Sequence, residues 1–440
     1  MRQPHEADFA GFVPSLRDAA MHCVLVHFEA SPRLAGLSAA DVDAICSRLP
    51  LDLDLELAGQ RVHSELYWRR RALARWRHPA VEAHGGSWKR LWFELNLQDA
   101  LEAFDPAASS LDELRRLATF SARWVRSLTL RQLPSRLDLA ALLDCLGHDL
   151  ASLSVRWGMG QVGMDYAPAL FGARLHDVRC LARALERTRG LCRLDLRGAG
   201  LDCDRTRLLC GGLADCATVT HLDLSANRVG DRGCRAVARV LGAAGAGGGS
   251  GGGPCLVALS LADNAIHCEG ARALARAVAS APALERLDVS QNLVGDDGAV
   301  ALLAHAAGAS RLRVLRLGSN LLTAESVPAA RDLILSSAGG EGDARGGGSR
   351  LRELCLRCNA LGEGAGPVLL GALAPGSAVP GFGGGASGRG GGGGGGGGAD
   401  GAAAAATPGL RVLGVARCGL AAHDEIAIAE LTGEREDTSL

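Results

Sequence analysis

The sequence predicts an α/β solenoid, in which short parallel strands line one side of a stack of repeats and helices cover the other. Two observations predict it. One phrase occurs twice with a spacing of 28 residues, as LERLDVSQNLV from Leu284 and as LRVLRLGSNLL from Leu312. After the asparagine of the first copy, glycine follows at +6 and apolar residues at +10 and +14, which lie on one helical face. Each unit therefore combines a strand, an asparagine turn and a helix.

The phrase fits the pattern L-x-x-L-x-L-x-x-N-x-L of leucine-rich repeats. Because side chains alternate along a strand, Leu284 and Leu287 point into a shared core, and Asp288 faces an open surface. A 28-residue unit with this order is typical of ribonuclease-inhibitor-like leucine-rich repeats. Stacked units of that type form a horseshoe with the parallel sheet inside and the helices outside.

Nine copies of the phrase predict the domain organisation. Weak copies begin at Val125 and Leu150, and strong copies begin at Leu191, Val219, Leu256, Leu284, Leu312, Leu351 and Leu410. Steps longer than 28 residues coincide with glycine-rich inserts at about 242–253, 339–348 and 376–406. Polyglycine cannot bury enough apolar area to offset its ordering entropy, so we expect flexible excursions. The predicted domains are a helical N-terminal region, 1–120, and a repeat solenoid, 121–440.

Helical patterns precede the repeats, although residues 1–30 show no clear period. Ser38 and Asp41 form a capping-box pattern that opens one helix. A second helix is predicted from Glu56 to Arg77, with four side chains expected in the core: Leu57, Leu66, Leu73 and Trp76. Further helices are predicted within 84–106 and from Leu111 to Thr119. In the former, Trp88, Trp92 and Phe93 are either core residues or an exposed anchor for a partner.

Composition and charge exclude several classes of protein. The net charge of -1 and the pI of about 6.9 disfavour a generic nucleic-acid or membrane-surface binder, because both need a basic field. No run of 18 apolar residues occurs, so no membrane span is predicted. The start of the chain lacks the pattern of a secretion signal, and we expect the 14 cysteines to be free thiols in a reducing cytosol.

No catalytic, cofactor-binding or metal-binding residue is predicted. One recurring slot in the turns is expected to bond backbone groups within the bend; it holds Asn227, Asn264, Asn292, Asn320, Asn359 and Cys418. Cys355 and Cys358 form a C-x-x-C pair, but the repeat register accounts for both residues and no second pair accompanies them. The chain has no G-x-x-x-x-G-K-[ST] or H-E-x-x-H motif.

The outward positions of the strands form the candidate binding surface. They are polar, mixed in charge and free of large aromatic residues, so the face either docks a polar protein partner or is a hydrated solenoid interior. The candidate contacts on this concave face are Asp195, Arg197, His221, Asp223, Arg286, Asp288, Arg316, Glu353 and Arg357.

Two stretches outside the repeat register are more specific than the repeats. The first is GGSWKR from Gly85, continuing to Phe93, Glu94, Leu97 and Gln98, and the second is WGMGQVGMDYAPALF around Met164. With the helical region and the repeats, they resemble the T-complex-associated testis-expressed protein family, the leucine-rich-repeat subunit 5 of the nexin-dynein regulatory complex. The resemblance covers roughly residues 56–375.

The resemblance implies a non-catalytic structural subunit of the motile-cilium axoneme. In that complex the subunits link outer doublet microtubules and regulate dynein-driven sliding. The implied partners are other subunits of the complex and, beyond them, dynein arms and doublet microtubules, and the implied location is the cytoskeleton of a cilium or flagellum, continuous with the cytoplasm. Two alternatives share the repeat architecture: a Ran-type GTPase-activating protein, and a substrate adaptor of a ubiquitin ligase with an F-box-like helical start.

Overall fold

The computed structural model describes residues 15–105, 110–133, 137–147, 149–158, 172–243, 254–309, 311–337, 350–373 and 410–432. The predictions for the glycine-rich inserts and for the Met164 passage fall almost entirely outside these ranges. The chain divides into two compact units. The helical unit comprises residues 1–104 and 108–128, and the repeat unit comprises residues 105–107 and 129–440.

The helical unit contains six α-helices in its described part. Their bounds are α1 Leu16–Val26, α2 Ala39–Cys46, α3 Leu55–Arg61, α4 Glu65–Arg75, α5 Trp88–Glu102 and α6 Leu111–Ser121. The capping prediction at α2 is confirmed, because the Ser38 hydroxyl accepts a hydrogen bond from the backbone N–H of Asp41. The same type of cap begins α5, where Ser87 accepts from the N–H of Arg90.

The single helix predicted from Glu56 to Arg77 is wrong, because the chain leaves the helix after Arg61 and re-enters it at Glu65. This break changes which face of α4 is buried. Leu66 and Leu73, predicted to lie in the core, are 43% and 50% exposed. Their place is taken by Tyr67 and Trp68, whose rings bury far more area than leucine does. Leu57 and Trp76 are half-buried.

The repeat unit is built on a parallel sheet whose strands follow chain order from β1 to β9. The register places the central leucines of successive strands side by side, as in Leu194 to Leu222 to Leu259, and these side chains are buried. Each predicted copy of the phrase forms one strand, including the copy at Leu410: β1 Ser127–Leu133, β2 Ser152–Trp157, β3 Arg193–Asp195, β4 His221–Asp223, β5 Ala258–Ser260, β6 Arg286–Asp288, β7 Val314–Arg316, β8 Glu353–Cys355 and β9 Val412–Gly414.

A helix follows each strand, which confirms the α/β leucine-rich-repeat solenoid. The glycines at +6 allow adjacent helices to approach closely: a Cβ built on Gly298 would lie 3.0 Å from the Cβ of Ala271. The helices are α7 Leu139–Leu146, α8 Leu175–Arg187, α9 Cys203–Ala214, α10 Gly230–Ala243, α11 Cys268–Ser280, α12 Gly295–Ala307, α13 Val327–Ser337, α14 Ala365–Leu373 and α15 Ala422–Thr432. None of the described helices combines the length and the apolar composition that a membrane crossing needs.

The asparagine slot has the structural role that the sequence predicts. Asn292 is 4% exposed, and its amide joins neighbouring repeats. Its oxygen accepts from the backbone N–H groups of Asn264 and Ile266, and its nitrogen donates to the carbonyls of Leu261, Val289 and Ser290. In the last repeat the thiol of Cys418 donates to the carbonyl of Leu356 at 3.0 Å. These bonds satisfy backbone groups that the turns would otherwise leave unpaired.

Candidate protein-interaction groove

Parallel register aligns the outward side chains of the strands in rows. Neighbouring strands lie about 4.8 Å apart, so residues at equivalent positions are side by side. One row begins Asp195, Asp223, Ser260, Asp288 and Arg316. The row before it runs Arg193, His221, Ala258, Arg286, Val314 and Glu353. In β3 and β6 a basic residue therefore precedes an acidic one, whereas β5 carries no charged residue in either row.

These rows form the floor of a groove of about 920 Å³. The predicted contacts are brought together there with one exception, Arg357, which follows β8 and does not line the groove. Eight of the candidate residues line it: Asp195, Arg197, His221, Asp223, Arg286, Asp288, Arg316 and Glu353.

The aspartates of the groove are held in place by the turns that follow their strands. One carboxylate oxygen of Asp223 accepts from the N–H of Ser225 at 2.8 Å, and one of Asp288 accepts from the N–H of Ser290 at 2.9 Å. Asp195 does the same with the N–H of Arg197 at 2.9 Å. Each bond fixes the side chain without neutralising it, and the second oxygens of Asp223 and Asp288 have no hydrogen-bond donor among the described residues. Fixed acceptors of this kind favour a partner with basic or amide groups.

The basic groups of the groove differ in how far they are engaged. Arg316 donates to the Glu353 carboxylate at 2.9 Å, so the charges of these two side chains largely neutralise each other. Arg197 and Arg286 are exposed and form no ion pair among the described residues. Burial lowers the pKa of His221 below its ordinary value, and the positive charges of Arg193 and Arg286 lower it further. His221 is therefore a neutral hydrogen-bonding group at neutral pH.

Two of the three residues of the predicted anchor are buried, which rules out an exposed anchor at those positions. Trp92 and Phe93 are 5% and 0% exposed. Phe93 stacks on Trp124 with ring centroids 4.1 Å apart, and Trp92 packs against Trp68 at 5.6 Å. The alternative interpretation, core packing, fits both. Trp88 is half-buried, with the Arg69 guanidinium 5.8 Å from its ring.

The GGSWKR segment contains a residue whose role the sequence did not reveal. Lys89 is 7% exposed, and its ammonium donates to the carbonyls of Gly59 at 2.7 Å and Val62 at 3.0 Å, at the end of α3. Burial lowers the pKa of Lys89 to about 8. The only available signal was its identity, since Lys89 is the sole lysine of an arginine-rich chain. The single nitrogen of an ammonium group can donate to two carbonyls that converge on one point, whereas the donors of an arginine guanidinium are spread over a plane and fit this arrangement less well.

Glu94, in the same segment, is a buried carboxylate at the centre of a hydrogen-bond network. It accepts from Arg90 at 2.8 Å and from the backbone N–H groups of Arg126 and Ser127 at 2.8 and 2.7 Å, and it also contacts the His84 ring. Burial alone would raise the pKa of Glu94, but these hydrogen bonds outweigh it and hold the pKa below its ordinary value. Lys89 and Glu94 thus support the structure of the helical unit.

The C-x-x-C pair does not form a metal site together with other residues of the described chain. Cys355 is half-buried on β8, and burial raises the pKa of its thiol. Cys358 is exposed and has a φ of 58°, the left-handed turn position that precedes Asn359. Across the described ranges, no group of three or more His, Cys, Asp or Glu side chains has the geometry of a metal site.

Comparison with known proteins agrees with the repeat geometry. A family model described as Leucine Rich repeat matches residues 215–238, 254–275 and 281–303. The chain is also 46% identical over 196 residues to dynein regulatory complex subunit 5 of Chlamydomonas reinhardtii, covering 44% of this chain and 50% of that protein. The chain thus contains leucine-rich repeats and is similar in sequence to dynein regulatory complex subunit 5.

Mammalian proteins with the same name are also similar. The mouse protein is 28% identical over 255 residues, and the human protein is 27% identical over 256 residues. Each match covers 52% of this chain and 51% of the relative. The chain therefore spans about half the length of the subunit 5 proteins that it matches.

Proposed function

We propose that this chain is a structural, non-catalytic subunit of the nexin-dynein regulatory complex, where it helps to link outer doublet microtubules and to regulate dynein-driven sliding. The observation that supports this most is the 46% identity to the Chlamydomonas subunit 5 over 196 residues. Its location would be the axoneme of a motile cilium or flagellum. Its partners would be other subunits of the complex and, through them or directly, dynein arms and doublet microtubules.

Within this role, we propose that residues 121–440 present a docking site and that residues 1–120 form a separate helical support. The docking site is the groove on β3 to β8. Its fixed carboxylates at Asp223 and Asp288 and its exposed guanidiniums at Arg197 and Arg286 suit a polar protein surface that carries both charges. The comparisons do not favour the GTPase-activating or ubiquitin-ligase alternatives.

The assembly proposal is tested by fractionation. A tagged copy expressed in a flagellated cell should remain with axonemes after high-salt extraction, and it should be missing from axonemes of strains that lack the regulatory complex. Recovery of the protein entirely in the detergent-soluble fraction would contradict the proposal.

The docking site is tested by charge reversal within the same assay. R197E/R286E replaces two exposed groove arginines that pair with no described acidic group, so it should leave the fold intact and reduce axonemal retention. R311E/R411E makes the same change in charge at exposed positions outside the groove and serves as the matched control. Equal axonemal retention of the two variants would contradict the docking site in the groove but would not contradict the proposal that the chain assembles into the complex.

A further inference from the structure

The outer helices of the repeat unit are divided by charge. Helices α8 to α11 carry ten arginines and five acidic residues, whereas α12 to α15 carry one arginine and six acidic residues. A general arginine bias in the chain would affect all repeats alike. The division is therefore a feature of particular repeats and not of the composition.

Five of these arginines are arranged in a regular array, which we call the arginine grid. In the 28-residue register, one position of the helix holds arginine in three successive repeats, and the position one turn later holds it in two. All five side chains are exposed. Adjacent helices lie about 8–10 Å apart, and residues one turn apart lie about 6 Å apart, so the grid covers roughly 20 Å by 10 Å. Its members are Arg207, Arg235, Arg272, Arg239 and Arg276.

A groove of about 370 Å³ lies within the grid, between α10 and α11. Arg235, Arg239 and Arg276 form its rim, and its floor consists of alanines and one glycine. The small floor residues leave the guanidinium groups of the rim accessible.

The charges of the grid are mostly uncompensated within the chain. Asp231, the nearest acidic residue on α10, is engaged elsewhere, because its carboxylate accepts from the backbone N–H groups of His267 and Gly270. Arg272 forms an ion pair with Asp297 at 2.9 Å, but the two side chains are 50% and 75% exposed, respectively, so solvent screens the pair. Within the described ranges, Arg239 and Arg276 have no ion pair. Guanidiniums held near one another without counter-charges are complementary to carboxylates.

We propose that the arginine grid binds an extended, glutamate- or aspartate-rich protein segment of about six residues, the length that spans roughly 20 Å. This site lies on the helices, away from the strand residues that line the groove on β3 to β8, so it is additional to the docking proposed above. A nucleic acid fits less well, because α9 to α11 contain no aromatic residue for base stacking.

The test measures binding of fluorescein-labelled decaglutamate to the purified full-length protein by fluorescence anisotropy at low ionic strength. R235Q/R239Q/R276Q should weaken binding about tenfold, as expected for the loss of three surface ion pairs. R311Q/R411Q/R417Q removes the same charge from exposed positions outside the grid and should change the affinity less than about twofold. Circular dichroism should show that both variants retain the wild-type helix content.

Three results would overturn the proposal. Equal weakening by the two triple variants would show attraction to net charge instead of to the grid. Equal binding of a decaglutamine peptide would show that charge is not recognised. Tighter binding of a ten-nucleotide oligothymidylate than of decaglutamate would assign the surface to nucleic acid.

Discussion

Replacing Asn292 by alanine should be one of the most damaging substitutions in the repeat unit. The buried Asn292 amide makes five hydrogen bonds to backbone groups of two repeats. A protein hydrogen bond contributes about 0.5–1.5 kcal/mol net, so the loss should lower the free energy of unfolding by about 3–5 kcal/mol. Asn320 occupies the same slot in the next repeat, but it makes only two such bonds from its nitrogen, and its oxygen has no partner. N320A should therefore cost about 1–2 kcal/mol.

Urea unfolding followed by far-ultraviolet circular dichroism gives the two stability losses, and hydrogen exchange localises them. Repeat arrays need not unfold in a single two-state step, so amide exchange at the affected turn is the more direct measurement. The backbone N–H groups of Asn264 and Ile266 donate to the Asn292 oxygen and should exchange faster in N292A than in N320A. Equal losses of stability, or unchanged exchange at those two amides, would refute the reasoning.

Three further predictions concern single residues. Gly211 and Gly212 are adjacent in α9; a Cβ on Gly212 would lie 2.3 Å from the Ala182 carbonyl oxygen, whereas Gly211 has nothing within 4 Å. Thermal melts should show that G212A destabilises the protein by about 2 kcal/mol or more and that G211A stabilises it by about 0.5–1 kcal/mol. Because the pKa of Lys89 falls from 10.5 to about 8 on folding, the unfolded state binds more protons between these values, and stability should rise with pH across that window. K89M should flatten this rise in urea titrations at several pH values, and an unchanged profile would contradict it. C418N should raise the melting temperature, because an amide replaces a weakly bonding thiol with the group used in the other repeats; a lower value would show that the last turn differs.

The repeat unit was predictable because its core is local and periodic. Leu287 and Leu315 repeat at a fixed spacing, and the buried side of each strand follows from alternation alone. The weak copy at Leu150 and the last copy at Leu410 obeyed the same rule. The outward groove residues followed from the same alternation, but the extent of the groove did not. Arg357 holds the same position after β8 as Arg197 holds after β3, yet of the outward residues of its repeat only Glu353 lines the groove.

The helical unit was harder to predict because distant contacts decide its core. No proline or glycine marks the break between Arg61 and Glu65. The residues between the two helices are held by distant side chains, because the Lys89 ammonium and the Trp68 indole both donate to the Val62 carbonyl. The buried face of α4 is chosen by aromatic residues of α5, because Trp68 packs against Trp92 and Phe93, and no spacing within α4 reveals it. The arginine grid was missed for a related reason, since stacking of successive helices brings its members together.

Photocrosslinking in assembled axonemes tests the central claim most directly. Ser260 lies at the centre of the groove, on β5, and it can be replaced by a photoreactive amino acid. The account predicts that illumination joins this position to another subunit of the nexin-dynein regulatory complex, identified by mass spectrometry, and that R197E/R286E reduces the yield. Retention of the protein in axonemes with no crosslink from Ser260 to any subunit of that complex would contradict it.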